Sequence, residues 1–263
     1  MHERALTYSS YLRLDELLGL QTPLSEGPEH DEHLFIVIHQ VYELWFKQLL
    51  HELEHLGRRL QAGDADAAMH TTRRVLTILK TVVAQIDVLE TMTPLGFNSF
   101  RDRLESASGF QSAQFRVLEA VLGRRDASML APYAEGSEGR RRIFEAMARP
   151  GLYDSLLRFL ETRGHRVPRA ALERDVTLPL EPDPAVQETL IAVYRGDPPG
   201  AAVCERLVDM DEGIQEWRYR HVKMVERTIG AKAGTGGSPG AEYLRNTLFR
   251  PAFPDLWDIR SRL

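Results

Sequence analysis

Asp31-Glu32-His33-Leu34-Phe35-Ile36-Val37-Ile38-His39-Gln40-Val41-Tyr42-Glu43-Leu44-Trp45-Phe46-Lys47-Gln48-Leu49-Leu50-His51-Glu52-Leu53 is the stretch on which the fold turns. No proline interrupts the chain from Asp31 to Leu60 and Gly57 is the only glycine, while Leu34, Ile38, Val41, Trp45, Leu49 and Leu53 recur on one face at helical spacing. That pattern predicts one long, strongly apolar helix. Working outward, Asp64-Ala65-Asp66 sets carboxylates at the positive end of a second helix, whose stripe of Val75, Leu79, Val82, Ile86 and Leu89 runs until Pro94 stops it. Two long helices joined by a short connection predict an antiparallel bundle.

Before this pair, Tyr11, Leu14, Leu17 and Leu18 predict a short first helix, ended by Pro23 and Gly27-Pro28. After it, shorter helices are expected over 98–104, 110–122, 139–148 and 152–162, separated by turn residues such as Ser108-Gly109 and Arg149-Pro150-Gly151. The prolines at 168, 179, 182 and 184 make Val167 to Pro184 an expected irregular surface excursion rather than a linker. Cys204, Leu207, Val208, Met210, Ile214, Trp217, His221, Met224 and Val225 predict a last long helix over 201–229. The glycine-rich Gly234-Thr235-Gly236-Gly237-Ser238-Pro239-Gly240 follows, then a short helix near 243–249. No window alternates with a period of two over enough residues to make a sheet. The expectation is an all-α, single-domain chain spanning 1–263, a bundle of long antiparallel helices with shorter peripheral ones.

Composition excludes several classes. With 263 residues, a chain of this size buries about three-quarters of its unfolded surface and needs neither disulfides nor a metal merely to fold. The 43% hydrophobic and 27% charged content argues against disorder or low complexity. A net charge of −5 lacks the basic footprint of a nucleic-acid binder. The lone Cys204 rules out a disulfide framework and a multi-cysteine metal site, which fits a reducing cytoplasm. Leu34-Phe35-Ile36-Val37-Ile38 is far short of a membrane span and residues 1–7 carry no apolar leader, so no membrane partner is expected.

His51-Glu52-Leu53-Glu54-His55 matches the H-E-x-x-H zinc pattern, but no third ligand follows, and a polar helix end is the favoured reading. His39 lies deep in the apolar run and His221 in the last long helix; each is ordinarily a satisfied core histidine. The two could instead face one cavity, and neutral imidazole is a common axial ligand of haem iron. Arg101, framed by Phe97 and Phe100, is either a surface arginine paired with Asp102 or Glu105, the favoured reading, or a bidentate clamp for a carboxylate. The glycine-rich stretch lacks a preceding strand and a Gly-Lys-Ser/Thr ending, so it is no P-loop; it is a connector or a lid with Thr235 as polar contact.

Several motifs spread in order along nearly the whole chain then carry a resemblance. They are Tyr8-Ser9-Ser10-Tyr11-Leu12-Arg13-Leu14-Asp15, His30 through Gln40, Tyr42-Glu43-Leu44-Trp45-Phe46-Lys47, Ser108-Gly109-Phe110-Gln111-Ser112, Trp217-Arg218-Tyr219-Arg220-His221 and Gly234-Thr235-Gly236-Gly237-Ser238. Together they resemble the tryptophan 2,3-dioxygenase family. The resemblance implies a homotetrameric, mainly helical haem b enzyme, active as Fe²⁺. Such an enzyme inserts both atoms of O₂ across the C2–C3 bond of L-tryptophan to give N-formyl-L-kynurenine, the first step of the kynurenine pathway. It implies His221 as the axial iron ligand, with Ser108 and Gly109 beside the cofactor. His39 would accept a hydrogen bond from the indole N–H, a positioning role rather than obligatory proton abstraction. Phe35 would pack on the indole ring, and Phe97 stands where some members carry Tyr. Arg101 would bind the substrate carboxylate and Thr235 the carboxylate and ammonium end. Tyr8, Tyr11 and Leu12 would complete a neighbouring subunit's site. A related haem monooxygenase of an aromatic amino acid or indole metabolite is the alternative, and a haem sensor without turnover fits less well with a retained amino-acid clamp.

Overall fold

The computed structural model describes residues 5–27, 29–105, 107–232, 234 and 240–263. Its helices are α1 (Tyr8–Leu12), α2 (Leu14–Leu17), α3 (His30–Gln61), α4 (Ala65–Leu89), α5 (Pro94–Phe100), α6 (Ala113–Val121), α7 (Glu138–Met147), α8 (Leu152–Thr162), α9 (Arg169–Leu172), α10 (Pro184–Gly196), α11 (Pro198–Ile229), α12 (Ala241–Arg245) and α13 (Pro254–Asp258). No strand occurs among the described residues, as the missing period-two pattern requires.

The predicted long pair is α3 and α4. Asp31 and Glu32 stand in the first turn of α3 and Arg58 and Arg59 in its last, both complementing the helix dipole. Gly63, at φ 73°, makes the left-handed turn between the helices, and the Asp64 carboxylate caps α4 by accepting from Ala67 N at 3.0 Å. Leu49, Leu53, Leu56 and Leu60 of α3 meet Val75, Leu79, Val82 and Ile86 of α4 in one core cluster. Helix α11 lies along the other flank of α4 and adds Val203, Cys204, Leu207, Met210 and Ile214. Helices α6 and α8 pack on α3, and α10 on α11.

Several boundaries differ from the sequence reading. The first helix breaks in two at Arg13, φ 53°, and its apolar stripe buries nothing within the chain: Tyr8, Tyr11, Leu12, Leu17 and Leu18 are all exposed. The helix expected over 98–104 begins at Pro94, capped by Thr93 Oγ1 on Gly96 N, and tightens to a 3₁₀ turn over Arg101–Leu104. The one expected over 110–122 is a 3₁₀ turn, Gly109–Gln111, followed by α6 with Ser112 as its cap. Within the excursion over 167–184, α9 forms a single turn and Arg174 is tied to Asp154 at 2.8 Å. Helix α11 starts at Pro198, ahead of 201, because proline suits the first helical turn. Near the C-terminus α12 covers Ala241–Arg245, and Phe249 adopts φ 57°, ending any helix there.

Two elements escaped the pattern. Helix α10 follows the proline-rich stretch directly, and α13 is only five residues long. Yet Phe253, Leu256 and Ile259 around α13 are fully buried. Two buried carboxylates clasp that segment to the bundle. Asp211 of α11 accepts from Ala252 N, Phe253 N and Trp257 Nε1. Asp255 accepts from Tyr153 Oη at 2.6 Å, Asp183 N at 2.8 Å and Gln187 Nε2 at 3.0 Å. Buried carboxylates are tolerated only when their oxygens find such donors.

Candidate functional site

Helical periodicity brings the candidate residues to one place. Phe35, His39, Tyr42 and Phe46 share a face of α3; Trp217, His221, Val225 and Thr228 share a face of α11. Between those faces, with Ile86 and Leu89 of α4, lies a cavity of ≈ 240 Å³. Phe97, Arg101 and Leu104 reach it from α5 and the turn that follows, Ser108 and Gly109 from the next loop, and Phe115, Arg116 and Glu119 from α6. Gly234 and Gly240, which bracket the glycine-rich stretch, also line it. Thr235 lies outside the described residues.

The α3 wall is aromatic. Phe35 sits 4.0 Å, centroid to centroid, from the His39 ring, and Phe97 and Phe100 pack on Phe35 at 5.9 and 5.5 Å. His39 Nδ1 lies 2.7 Å from the Phe35 carbonyl oxygen. A carbonyl only accepts, so Nδ1 carries the proton and Nε2 of the neutral ring is the acceptor. Burial keeps the ring neutral by holding its pKa below the ordinary histidine value, against the opposing pull of the Phe35 carbonyl and Glu43. The geometry thus presents a neutral hydrogen-bond acceptor in an apolar, aromatic pocket.

The α11 wall carries the second imidazole. His221 stacks on Trp217, 5.1 Å between centroids and 5° from parallel, and Trp217 is itself packed by Phe115 at 4.7 Å and Phe46 at 6.1 Å. These contacts fix the plane of the His221 ring. Burial, with a smaller effect of His39, pushes its pKa down to about 4, so at neutral pH the imidazole is uncharged and its lone pair is available to a metal.

Among the described residues no group of three or more His, Cys, Asp or Glu side chains could hold a bare metal ion. A single buried, neutral imidazole in a largely apolar, aromatic cavity is a donor that would suit a metal carried by a macrocycle, as haem iron is. The H-E-x-x-H pattern resolves as structural. Glu52 is buried and accepts from Gln48 at 2.7 Å and Arg74 at 3.2 Å, His51 is exposed, and His55 Nε2 accepts from Arg59.

Two charged groups in the cavity wall, Arg116 and Glu119, escaped the sequence reading. Glu119 is buried and ionised, because Arg116, Arg218 and Arg124 outweigh its desolvation and hold its pKa below the usual carboxylate range. On a short amphipathic helix it reads as an ordinary surface charge; Arg218, one turn before His221, was the only signal pointing to it.

No described helix is long and apolar enough to cross a membrane. Comparison with known proteins then identifies the family. The model of the family described as tryptophan 2,3-dioxygenase matches residues 1–175 and 154–263. Proteins named tryptophan 2,3-dioxygenase from Anaeromyxobacter sp. (strain K) and Anaeromyxobacter dehalogenans are 65% and 64% identical, each alignment covering 100% of this chain and 98% of the relative. One from Herpetosiphon aurantiacus is 59% identical over 99% of both chains. Identity of this degree along the full length of both partners, over a chain whose two facing imidazoles share one aromatic cavity, has a single reading: the chain belongs to the tryptophan 2,3-dioxygenase family.

Proposed function

We propose that the chain catalyses insertion of O₂ across the indole C2–C3 bond of L-tryptophan, giving N-formyl-L-kynurenine, the first step of tryptophan degradation by the kynurenine pathway. The observation that carries this reading is the convergence of His39, His221 and Arg101 on one largely apolar cavity. Haem b, when bound, supplies the ferrous centre that activates O₂. His221, its ring plane set by Trp217, would hold the iron. Ser108 and Gly109, which line the cavity, would help to hold the haem.

The remaining side chains bind and orient the amino acid. His39 Nε2 accepts from the indole N–H, since Nδ1 is committed to the Phe35 carbonyl. Phe35 and Phe97 cover the ring faces and keep water away from the reacting bond. Arg101 takes the carboxylate in a two-pronged contact, and Thr235 contacts the carboxylate and ammonium end. Fixing both ends of the substrate selects one enantiomer by geometry. His39 acts by position: a neutral, buried imidazole is a weak base, and the indole nitrogen can keep its proton during initial attack on the ring. The working unit is a cytoplasmic homotetramer in which Tyr8, Tyr11 and Leu12 complete a neighbour's site; their exposure within this chain supports that arrangement.

The deciding experiment is an anaerobic absorption spectrum of the reduced, haem-loaded chain with and without L-tryptophan, followed by admission of ¹⁸O₂. Expected is a tryptophan-dependent spectral change and N-formylkynurenine carrying two labelled atoms. A product with one labelled atom means a monooxygenase, and bound haem without product means a binding protein.

A further inference from the structure

Three guanidiniums converge on one buried carboxylate where α6 meets α11. Arg116 Nη1 donates to Glu119 Oε2 at 2.7 Å, and Arg124 Nη1 and Arg218 Nη2 each donate to Glu119 Oε1 at 2.8 Å. Glu119 is 3% exposed and Arg116 5%, and the Arg218 side chain is 11% exposed. Arg116, Glu119 and Arg218 all line the cavity. The other carboxylate among its described lining residues is Glu43, whose Oε2 accepts from Gln114 Nε2 at 2.8 Å. Around Glu119 three guanidiniums meet one carboxylate; Arg116 and Arg218 stand in the cavity lining, and Arg124, its side chain 20% exposed, stands outside it. Such an excess of positive charge is costly unless an anion completes it. By contrast, the next arginine along α11, Arg220, is compensated by Asp87 and Glu90 and is absent from the cavity lining.

Position identifies the anion. Arg218 precedes His221 by three residues, so the two side chains lie on neighbouring rows of one helix face. Haem, if held by His221, would bring its side-chain carboxylates into the same cavity that Arg218 and Arg116 line. Arg101 serves the amino acid from a different element, the turn after α5. We propose that Glu119 is a positioning residue that holds Arg116 and Arg218 at the cavity wall as a receptor for the side-chain carboxylates of haem. This rests on the haem reading above. Glu119 would thereby set how tightly and in which orientation the porphyrin is held, without touching the substrate.

The test titrates the full-length apoprotein, followed by Soret absorbance, with haem and with haem dimethyl ester, in which both carboxylates are capped. The wild-type chain is expected to bind haem at least about tenfold more tightly than the diester, the worth of one charge-assisted hydrogen bond. In Arg218→Gln the preference falls to within about threefold, as expected for a lost pairing of that size. Glu119→Gln separates positioning from bulk charge. It enlarges the cation excess while releasing the guanidiniums, so the preference falls if Glu119 positions them and rises if charge alone matters. A rise, or an undiminished preference in Arg218→Gln, overturns the proposal, as does a wild type indifferent to esterification. Far-UV circular dichroism checks that each variant folds, and Arg218→Gln, altering a less buried side chain, decides if Glu119→Gln does not. A wild-type chain that takes up neither porphyrin overturns the haem reading itself, which is a different outcome.

Discussion

At the scale of single residues, the tasks proposed for the two imidazoles follow from their different environments. His221 is backed by Trp217 and presents a lone pair, whereas His39 is fixed in one tautomer by the Phe35 carbonyl and presents an acceptor. His221→Ala is therefore expected to lose most haem, read as the loss of Soret absorbance on reconstitution; normal loading would remove the ligand assignment. His39→Ala is expected to load haem normally and to turn over about 10–100-fold more slowly, the cost of one hydrogen bond in a site without water to replace it. Both residues were visible in the sequence, but their roles were not. A histidine on an apolar stripe reads equally as core, and only the resemblance tipped the balance before the cavity joined them.

At the scale of elements, α11 carries the site and its start is held by a compact knot. The Asp197 carboxylate caps the helix on Gly200 N at 3.2 Å, accepts from Arg163 Nε at 2.6 Å, and lies 2.9 Å from His165 Nε2. A Cβ on residue 200 would overlap that carboxylate. Gly200→Ala is thus expected to cost about 1–3 kcal/mol as overpacking, and thermal melts should show a Tm several degrees lower, at about 2–4 °C per kcal/mol. The Arg163 guanidinium, with His165 and the Gly200 amide, holds the Asp197 carboxyl well below the ordinary aspartate range. For a carboxyl depressed in the folded state, the stabilisation is fully present above the unfolded value, about 4, and is lost as pH falls through the lower folded value. The gap in Tm between the wild type and Asp197→Asn should therefore be widest near neutrality and narrow as pH drops below about 4; a gap independent of pH would remove the charge from the explanation. Elements with long stripes, α3, α4 and α11, were legible because burial along one face imposes a 3.6-residue period. Helix α13 was not, since five residues are too few to show a period and it is held by Asp211, Tyr153 and Gln187, distant in sequence.

At the scale of the molecule, the N-terminal arm is the feature that a single chain leaves unexplained. Glu32 accepts from Leu24 N and Ser25 N, and Gln40 Nε2 donates to the Leu20 carbonyl, so the arm's root is docked on α3. Beyond that root, Tyr8 and Tyr11 are 75% and 71% exposed. Exposed apolar surface of this kind supports the proposed contribution of the arm to a neighbouring subunit's site. Deleting residues through Leu12 is expected to reduce turnover far more than haem loading, and unchanged turnover would refute a shared site. The amino-acid sequence by itself determined the all-α class, the three long helices and their apolar faces, because helical periodicity is a local property that any face-burying helix must display. It also placed the family motifs in order. Only the tertiary structure decided that His39 and His221 face one cavity, that Glu52 of the H-E-x-x-H run is buried and paired with Arg74, and that Glu119 gathers three arginines at the cavity wall. Those outcomes depend on which helix faces meet, and contacts between side chains as far apart in sequence as Tyr42 and Trp217 leave no periodic trace in the chain.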